Sequence, residues 1–273
     1  MANLKLVSVG ETTADYYPQI DQTLVGGISL NFAVQAKRCG LETVSMVSCV
    51  GDDANGRMVL DKLAAEQVDT SHITVQPGKT AHCEIVVLDG GERYFPPGSY
   101  RQHVLASYKP SPADCAFIQT HDILVTRFDI AYTRATVDLV VRHLPFSGKR
   151  VVDFGDWFDY NGRHPEIVPY LDKIDLAFIS GDETTVEAFG QIAKESRTQF
   201  VITLGRAGSC ALVDGKIVRQ SAVMVPNIVD TTGAGDAFQA AFTVAYFQGQ
   251  GIEASLAAGA ENAAKTIQHF GAI

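Results

Sequence analysis

The chain has 273 residues, 46% of them hydrophobic and 19% charged, and carries a net charge of −9 at pH 7. That length and apolar share are enough to bury one sizeable core as a single α/β domain. The acidic balance argues against nucleic acid or an anionic membrane as the main partner, but not against small anionic substrates, which respond to local fields.

No apolar run approaches the ~18–20 residues that cross a bilayer, and the N-terminus lacks a basic stretch followed by a long apolar one, so the expected location is cytoplasmic. The five cysteines, Cys39, Cys49, Cys83, Cys115 and Cys210, are odd in number and scattered. With no CxxC pair, and no HExxH among the seven histidines, neither a disulfide framework nor a zinc site is expected.

Residues 4–9 form a short apolar run ending at Gly10, which predicts a buried strand of a parallel sheet. Asp15 follows it, at the strand end where open α/β sheets bind ligands, although a solvated turn acid would look the same. Residues 19–25 read as an exposed strand reaching Gly26-Gly27, and the following Ile-Ser-Leu-Asn opens a helix with Ser29 as its expected N-cap. The double glycine would let backbone approach a ligand, and Asn31 offers a donor and an acceptor one turn in.

A strand over 43–50, a Gly51-Asp52-Asp53 turn and a helix over 55–67 come next, then a strand from 68. Gly78-Lys79-Thr80 invites comparison with a phosphate-binding loop, but that motif needs glycine at position 73, where the chain has Ile73. Residues 80–88 and 92–95 alternate around Asp89-Gly90-Gly91, the pattern of a hairpin.

From residue 122 strands at 123–126, 150–154, 176–179 and 200–203 alternate with helices at 132–144, 162–170 and 183–194. Such alternation predicts a parallel, doubly wound sheet. Arg127, Asp129, Asp153, Asp156, Trp157 and Asp159 occupy loops at strand ends; Trp157 suits the core or a ligand shelf. Asp182 and Glu183 are favourable first-turn acids of a helix. Runs at 210–213 and 216–218 flank Asp214-Gly215 as a second hairpin, and residues 254–269 are helical by alanine content, with Asn262 on the polar side.

The most informative stretch is 230–242. Phe238, Phe242, Ala245 and Tyr246 recur at helical spacing, and Gly249 marks the stop. Gly233, Ala234 and Gly235 therefore form a turn at a helix N-terminus, where unpaired N–H groups and the positive end of the dipole converge on an anion. Asp236 is a carboxylate in that field. It reads as a base beside a phosphoryl site, or as an acid that only complements the dipole.

Asp-Thr-Thr-Gly-Ala-Gly-Asp at 230–236 resembles the C-terminal signature of the ribokinase-like (PfkB) carbohydrate kinases, and further matches run from Gly10 to Gly271. The resemblance implies a single domain over 1–273, a three-layer α/β/α sandwich with a mainly parallel doubly wound sheet and a small β lid at about 12–25 and 80–97. It implies ATP-dependent phosphoryl transfer to a hydroxyl, with Asp236 as base and the amides of Gly233, Ala234 and Gly235 holding the transferring group. Asp15, Gly27 and Asn31 would bind acceptor hydroxyls. Thr203, Gly205 and Gly208 would lie near the ATP phosphates or ribose, and the helix carrying Asn262 would wall the adenine pocket. Glu183 would organise Mg2+-bound water, although Ser180 stands where the family has asparagine. Several relatives bind a monovalent cation beside the positions of 228–230, and a homodimer through the lid is implied.

Residues 263–268 with Gly271-Ala272, Gly26-Gly27 before Asn31, and Asp153-Phe154 with Asp156 are similar to the fructoselysine 6-kinase branch. The acceptor so implied is a fructose joined to an amine of lysine. Asp156 or Asp159 would face its amine and Arg127 its carboxylate. A plain hexose or pentose and a nucleoside remain alternative acceptors, and a catalytically inactive sugar-binding relative is the alternative of another class. A dinucleotide oxidoreductase is excluded, because residues 10–15 carry no Gly-x-Gly-x-x-Gly.

Overall fold

The structure, a computed structural model, describes residues 3–129, 133–157 and 166–273. Nine strands form the main sheet: β1 (Lys5–Val9), β4 (Thr43–Gly51), β5 (Asp69–Gln76), β9 (Ile123–Arg127), β10 (Lys149–Asp156), β11 (Leu176–Ser180), β12 (Gln199–Thr203), β13 (Ser209–Val213) and β14 (Lys216–Gln220). Their order is β14-β13-β12-β11-β10-β9-β1-β4-β5. Pairing is parallel from β5 to β12 and antiparallel for β12-β13-β14. The last hairpin turns at Asp214 and Gly215, both at positive φ (51° and 74°), the conformation that a tight two-residue turn between twisted strands requires.

Both faces of this sheet are covered, so its strands are apolar on both sides. On one face Leu6, Val44, Met46 and Phe178 pack with residues of α1 (Ile28–Arg38), α2 (Ala54–Ala65), α6 (Ala234–Phe247) and α7 (Ile252–Thr266). On the other, Val7, Val9, Leu124 and Val152 pack with Ile118 of α3 (Pro112–Ile118), Val137 of α4 (Arg134–Val137), and Val186 and Phe189 of α5 (Glu183–Glu195). This is the expected α/β/α sandwich. Two local expectations change. The helix expected over 132–144 is one α turn, α4, that widens into a π-type stretch at Asp138–His143. Of the helix expected over 162–170, residues up to 165 lie outside the described residues, and Val168–Lys173 is 3-10 in form.

The chain reverses its direction of winding between β1 and β9. From β1 it steps to β4 and β5, then returns to β9 on the other side and moves outward. At such a reversal the loops leaving two neighbouring parallel strands part, opening a crevice at their carboxyl ends. Above it stand β2 (Thr13–Tyr17) and β3 (Gln22–Gly26), paired antiparallel, with β6 (His82–Glu84) added parallel to β2. A short hairpin, β7 (Val86–Val87) with β8 (Arg93–Tyr94), follows β6 around Asp89–Gly91. Both extended segments read from the sequence thus contain strands, and β2 adds a further one at Thr13–Tyr17.

Candidate active site

A cleft of about 620 Å³ opens at this reversal, lined from five directions. Glu11, Thr13 and Asp15 follow β1; Gly27 and Asn31 begin α1; Arg127 ends β9 and Asp129 follows it, while Asp153 and Asp156 lie in the last half of β10; Glu92, Arg93 and Phe95 come from the hairpin; Gly233, Gly235 and Asp236 open α6. Seven of the lining residues are acids, Glu11, Asp15, Glu92, Asp129, Asp153, Asp156 and Asp236, against Arg93 and Arg127 as cations. An anion can therefore enter only with compensating charge or at a strongly positive spot.

Such a spot lies at the start of α6. Gly233 caps the helix in the left-handed region (φ 74°) with no side-chain cap. The N–H of Ala234 makes a long 3.3 Å bond to Thr231 O, and the N–H groups of Gly235 and Asp236 find no backbone acceptor among the described residues. A Cβ on Gly235 would meet nothing within 4 Å, so the turn is open there. Convergent, unspent N–H donors at a helix start are an anion site.

That turn is held from behind. Asp230, fully buried, accepts from Thr232 N (2.8 Å) and Gly271 N (2.9 Å), while Val229 N donates to Ile267 O (2.8 Å). Gln35 Nε2 donates to Ala272 O at 2.9 Å. The chain just beyond α7 is thereby pressed against Gly233, where a Cβ would come within 2.2 Å of Ala272 Cβ.

Asp236 sits in the first turn of α6, 8% exposed, and its Oδ2 accepts from Asn31 Nδ2 at 2.8 Å. Burial pushes its carboxyl up to about 7; the Asn31 hydrogen bond pulls the other way, Asp153 adds repulsion, and Arg127 and Arg93 offset it. Asp15, 6% exposed, is likewise pushed up to about 7 by burial, against a 2.7 Å hydrogen bond from Thr13 Oγ1, with Glu11, Asp236 and Asp230 repelling it. Two acids with these values share the protons of one cleft at neutral pH.

Asn31 thus orients a carboxylate, and its own Oδ1 is buried with no partner among the described residues. An orphaned buried acceptor costs ~1–3 kcal/mol unless a ligand donor satisfies it. The double glycine is also required by the chain itself. A Cβ on Gly26 would lie 1.9 Å from Asp15 Oδ2, and one on Gly27 (φ 101°) would meet the backbone of Glu11, Thr12 and Thr13 at 2.9 Å. Gly27, not Ser29, caps α1; Ser29 is buried in the first turn with its hydroxyl 3.4 Å from Val9 O.

Arg127 lies 4.0 Å from Asp153 and 3.9 Å from Asp129. Burial would lower its pKa, but Asp153, Glu11, Asp129 and Asp236 together outweigh that and hold it charged. Trp157 meets Phe189 edge-on at 4.8 Å and is 7% exposed, which makes it a core residue. Asp159 lies outside the described residues.

None of Thr203, Gly205, Gly208 and Asn262, the residues expected around the nucleotide, is in the cleft lining. Ser180 lines it and shares a 2.8 Å hydrogen bond with Thr203, which leads into the turn Gly205–Ala207. Gly208 (φ 100°) allows that turn to pass the β14 end, where a Cβ would come 2.1 Å from Gln220 O. Asn262 faces inward rather than to a polar side: its Nδ2 donates to Ala237 O (2.9 Å) and Gln35 Oε1 (3.2 Å). Glu183 is outside the cleft lining and pairs through both oxygens with Arg219 at 2.8 Å on the surface. No group of three or more potential metal-ligating side chains occurs among the described residues.

A family model described as pfkB family carbohydrate kinase matches residues 4–127 and 172–273. The chain belongs to the PfkB family. As a member it is an ATP-dependent carbohydrate kinase, and the resemblance drawn from residues 230–236 holds. Fructoselysine 6-kinase of Escherichia coli (strain K12) is 31% identical over 268 residues, covering 98% of both chains. Fructosamine kinase FrlD of Bacillus subtilis (strain 168) is also 31% identical, covering 98% of this chain and 93% of its own. Among solved structures, adenosine kinase from Sinorhizobium meliloti superposes with a TM-score of 0.86 at 17% identity, covering 99% of this chain and 96% of that one, which speaks to fold alone. No helix among the described residues is long and apolar enough to cross a membrane.

Proposed function

We propose that this PfkB kinase transfers the γ-phosphoryl group of ATP to a hydroxyl of a sugar–amine adduct of the fructosyl-amine class, with Asp236 as general base. The observation that carries the reading is a buried carboxylate, pushed up to about 7, fixed by Asn31 beside the open amides of Gly233–Gly235. A base poised near neutral pH can take the acceptor proton while those amides hold the transferring group. Asp15 and the free carbonyl of Asn31 bind acceptor hydroxyls.

The amine is supported by the excess of carboxylates in the cleft, with Asp156 at its rim facing it and Arg127 serving the acceptor carboxylate. The two relatives named above act on fructosyl-amines by their names, which points the same way. Mg2+ bound with ATP supplies neutralisation of triphosphate charge, which an acid-rich cleft demands. With no ligand cluster of its own among the described residues, the protein suits a metal that arrives on the nucleotide. Glu183, paired with Arg219 on the surface, would organise Mg2+-bound water only after parting from that arginine.

The test is ADP release with fructoselysine, other fructosyl-amines, fructose, ribose and adenosine as acceptors. The fructosyl-amines should give the highest kcat/KM, and Arg127→Ala should narrow the margin. A free sugar or nucleoside preferred over every fructosyl-amine overturns the acceptor and leaves the kinase.

A further inference from the structure

Asp236 is followed one turn later on α6 by Gln239, and both line the cleft. Residues three apart share a helix face, and side chains lean toward the N-terminus of their helix, so the Gln239 side chain leans toward Asp236. The residues around it, Ala237, Phe238, Ala240, Ala241 and Phe242, are buried. Gln239 is 5% exposed among them, and its amide makes no hydrogen bond among the described residues.

The neighbouring amides are committed to the fold. Asn262 Nδ2 donates to Ala237 O at 2.9 Å, Gln35 Nε2 to Ala272 O at 2.9 Å, and Asn31 Nδ2 to Asp236 at 2.8 Å. Burying an amide without partners is costly, and an apolar side chain at 239 would serve the fold better. The amide therefore calls for a ligand, and Asn31 shows what kind of group it would meet. With its Nδ2 committed to Asp236, Asn31 has a buried Oδ1 that can only accept and has no partner among the described residues. An open acceptor and an open amide donor, both set around Asp236, complete the hydrogen bonds of a single hydroxyl, which gives one proton and accepts another.

We propose that Gln239 is a specificity-determining residue of this kinase: its Nε2 donates to a second hydroxyl of the acceptor, one that is not phosphorylated, and that hydroxyl donates to Asn31 Oδ1. The proposal rests on reading Asp236 as the base. The anion turn, Gly233–Gly235, lies N-terminal to Asp236, whereas Gln239 lies about 4.5 Å along the axis in the opposite direction, so the amide addresses the acceptor and not the phosphates. The carboxylates of the cleft respond to the charge of an acceptor; a neutral amide responds to the presence of a hydroxyl. An acceptor lacking that hydroxyl leaves both amide groups buried and unpaired, which is how such sites reject deoxy analogues. Because Asn31 holds Asp236 and the second hydroxyl at once, the same contact sets the reacting hydroxyl against the base.

The test uses the full chain with Gln239→Met, of similar length but without the amide, and Gln239→Glu, which keeps an acceptor and loses the donor. kcat and KM are measured for fructoselysine, fructose and adenosine, each beside its monodeoxy analogues, and calorimetry follows binding of a non-hydrolysable β,γ-imido analogue of ATP. Both variants should lower kcat/KM ~10-fold for the preferred acceptor, mostly through KM, the size of one hydrogen bond. For one monodeoxy analogue, already ~10²-fold or more poorer with the parent, Gln239→Met should change kcat/KM less than ~2-fold. Affinity for the ATP analogue should also stay within ~2-fold, since the amide does not face the phosphates. The ligand-free melting temperature of Gln239→Met should equal or exceed that of the parent, because an unpartnered buried amide has gone. A lowered melting temperature, a wild-type KM in Gln239→Met, an equal loss on the intact acceptor and on every monodeoxy analogue, or a Gln239→Glu enzyme as good as the parent overturns the proposal. The other readings fail separately: preference for fructose or adenosine strikes the fructosyl-amine alone, and Asp236→Asn at full activity strikes the base, while the Gln239 comparison is still read on the preferred acceptor.

Discussion

Replacing Gly233 by alanine tests how the anion turn is held. The residue sits at φ 74°, where a side chain costs roughly 1–2 kcal/mol. The new Cβ would also fall 2.2 Å from Ala272 Cβ and 2.7 Å from Ala272 Cα, an overlap of the kind that costs ~1–3 kcal/mol in packed interiors. Together these predict a loss of ~2–5 kcal/mol, a large part of the ~5–15 kcal/mol that keeps a domain folded. The strain can be released by moving residues 271–272, but that breaks the bonds from Gly271 N to Asp230 and from Gln35 to Ala272 O. Either way the N–H groups of Gly235 and Asp236 shift, and kcat should fall by ~10²-fold, as for other sub-ångström to ångström misplacements. Adding Ala272→Gly removes the 2.2 Å contact but leaves the 2.7 Å contact and the φ strain, so the double variant should regain part of the stability. Urea midpoints and kcat for the four-member cycle are the assay, with a coupling of ~0.5–3 kcal/mol expected. Strict additivity, or a Gly233→Ala protein with wild-type kcat and less than ~1 kcal/mol lost, would refute the packing of the chain end against the turn.

Asp15 and Asp236 have folded-state values of about 7, well above the ~3.9 of an unfolded aspartate. Their contribution to stability is therefore fully present below the unfolded value and is lost as pH rises through about 7, so Asp15→Asn and Asp236→Asn should each raise the apo melting temperature at pH 8 more than at pH 4.5. A lowered melting temperature at pH 8 contradicts the burial argument. For the same reason kcat/KM should decline as pH falls through about 7, where Asp236 becomes protonated; a flat profile down to pH 5 would exclude it as the titrating base. The small sheet and hairpin are proposed to act as a lid, so cleavage at the exposed Asp89-Gly90 step should slow when acceptor and the ATP analogue are both bound. Equal cleavage rates in all states would remove the lid.

Much of the framework was legible because it depends on local periodicity. The alternation after residue 122 yielded β9 to β12 in order, and Asp214-Gly215 yielded the β13–β14 hairpin, since turn chemistry and apolar runs are short-range properties. Gly233–Asp236 was legible for the same reason: a glycine turn before a helical apolar repeat has one local meaning. What escaped reading was decided by partners far along the chain. Asn31 reaches Asp236 across 205 positions, and Arg93 meets Thr231 across 138, spacings that leave no trace in a window of sequence. The packing need for Gly26 and Gly27 was hidden as well, because the Asp15 carboxylate and the Glu11–Thr13 backbone that crowd them come from another segment. Ser29 looked like a cap because a serine at a helix start usually is one, and here the glycine at φ 101° takes the cap instead. Glu183 could not be assigned from sequence either, as its partner Arg219 lies on a strand that approaches α5 only in the folded sheet.

Asp236→Asn tests the central claim most directly. Asparagine has the same shape and can still accept from Asn31 Nδ2 through its own carbonyl oxygen, so the 2.8 Å contact and the turn behind it are preserved. What is lost is the ability to take a proton. Measured with saturating ATP and acceptor, alongside calorimetric affinity for the ATP analogue, the variant should bind nucleotide as the parent does and turn over ~10²–10⁴-fold more slowly. A variant that binds normally and retains kcat within about threefold, far short of a general-base contribution, would contradict Asp236 as the base.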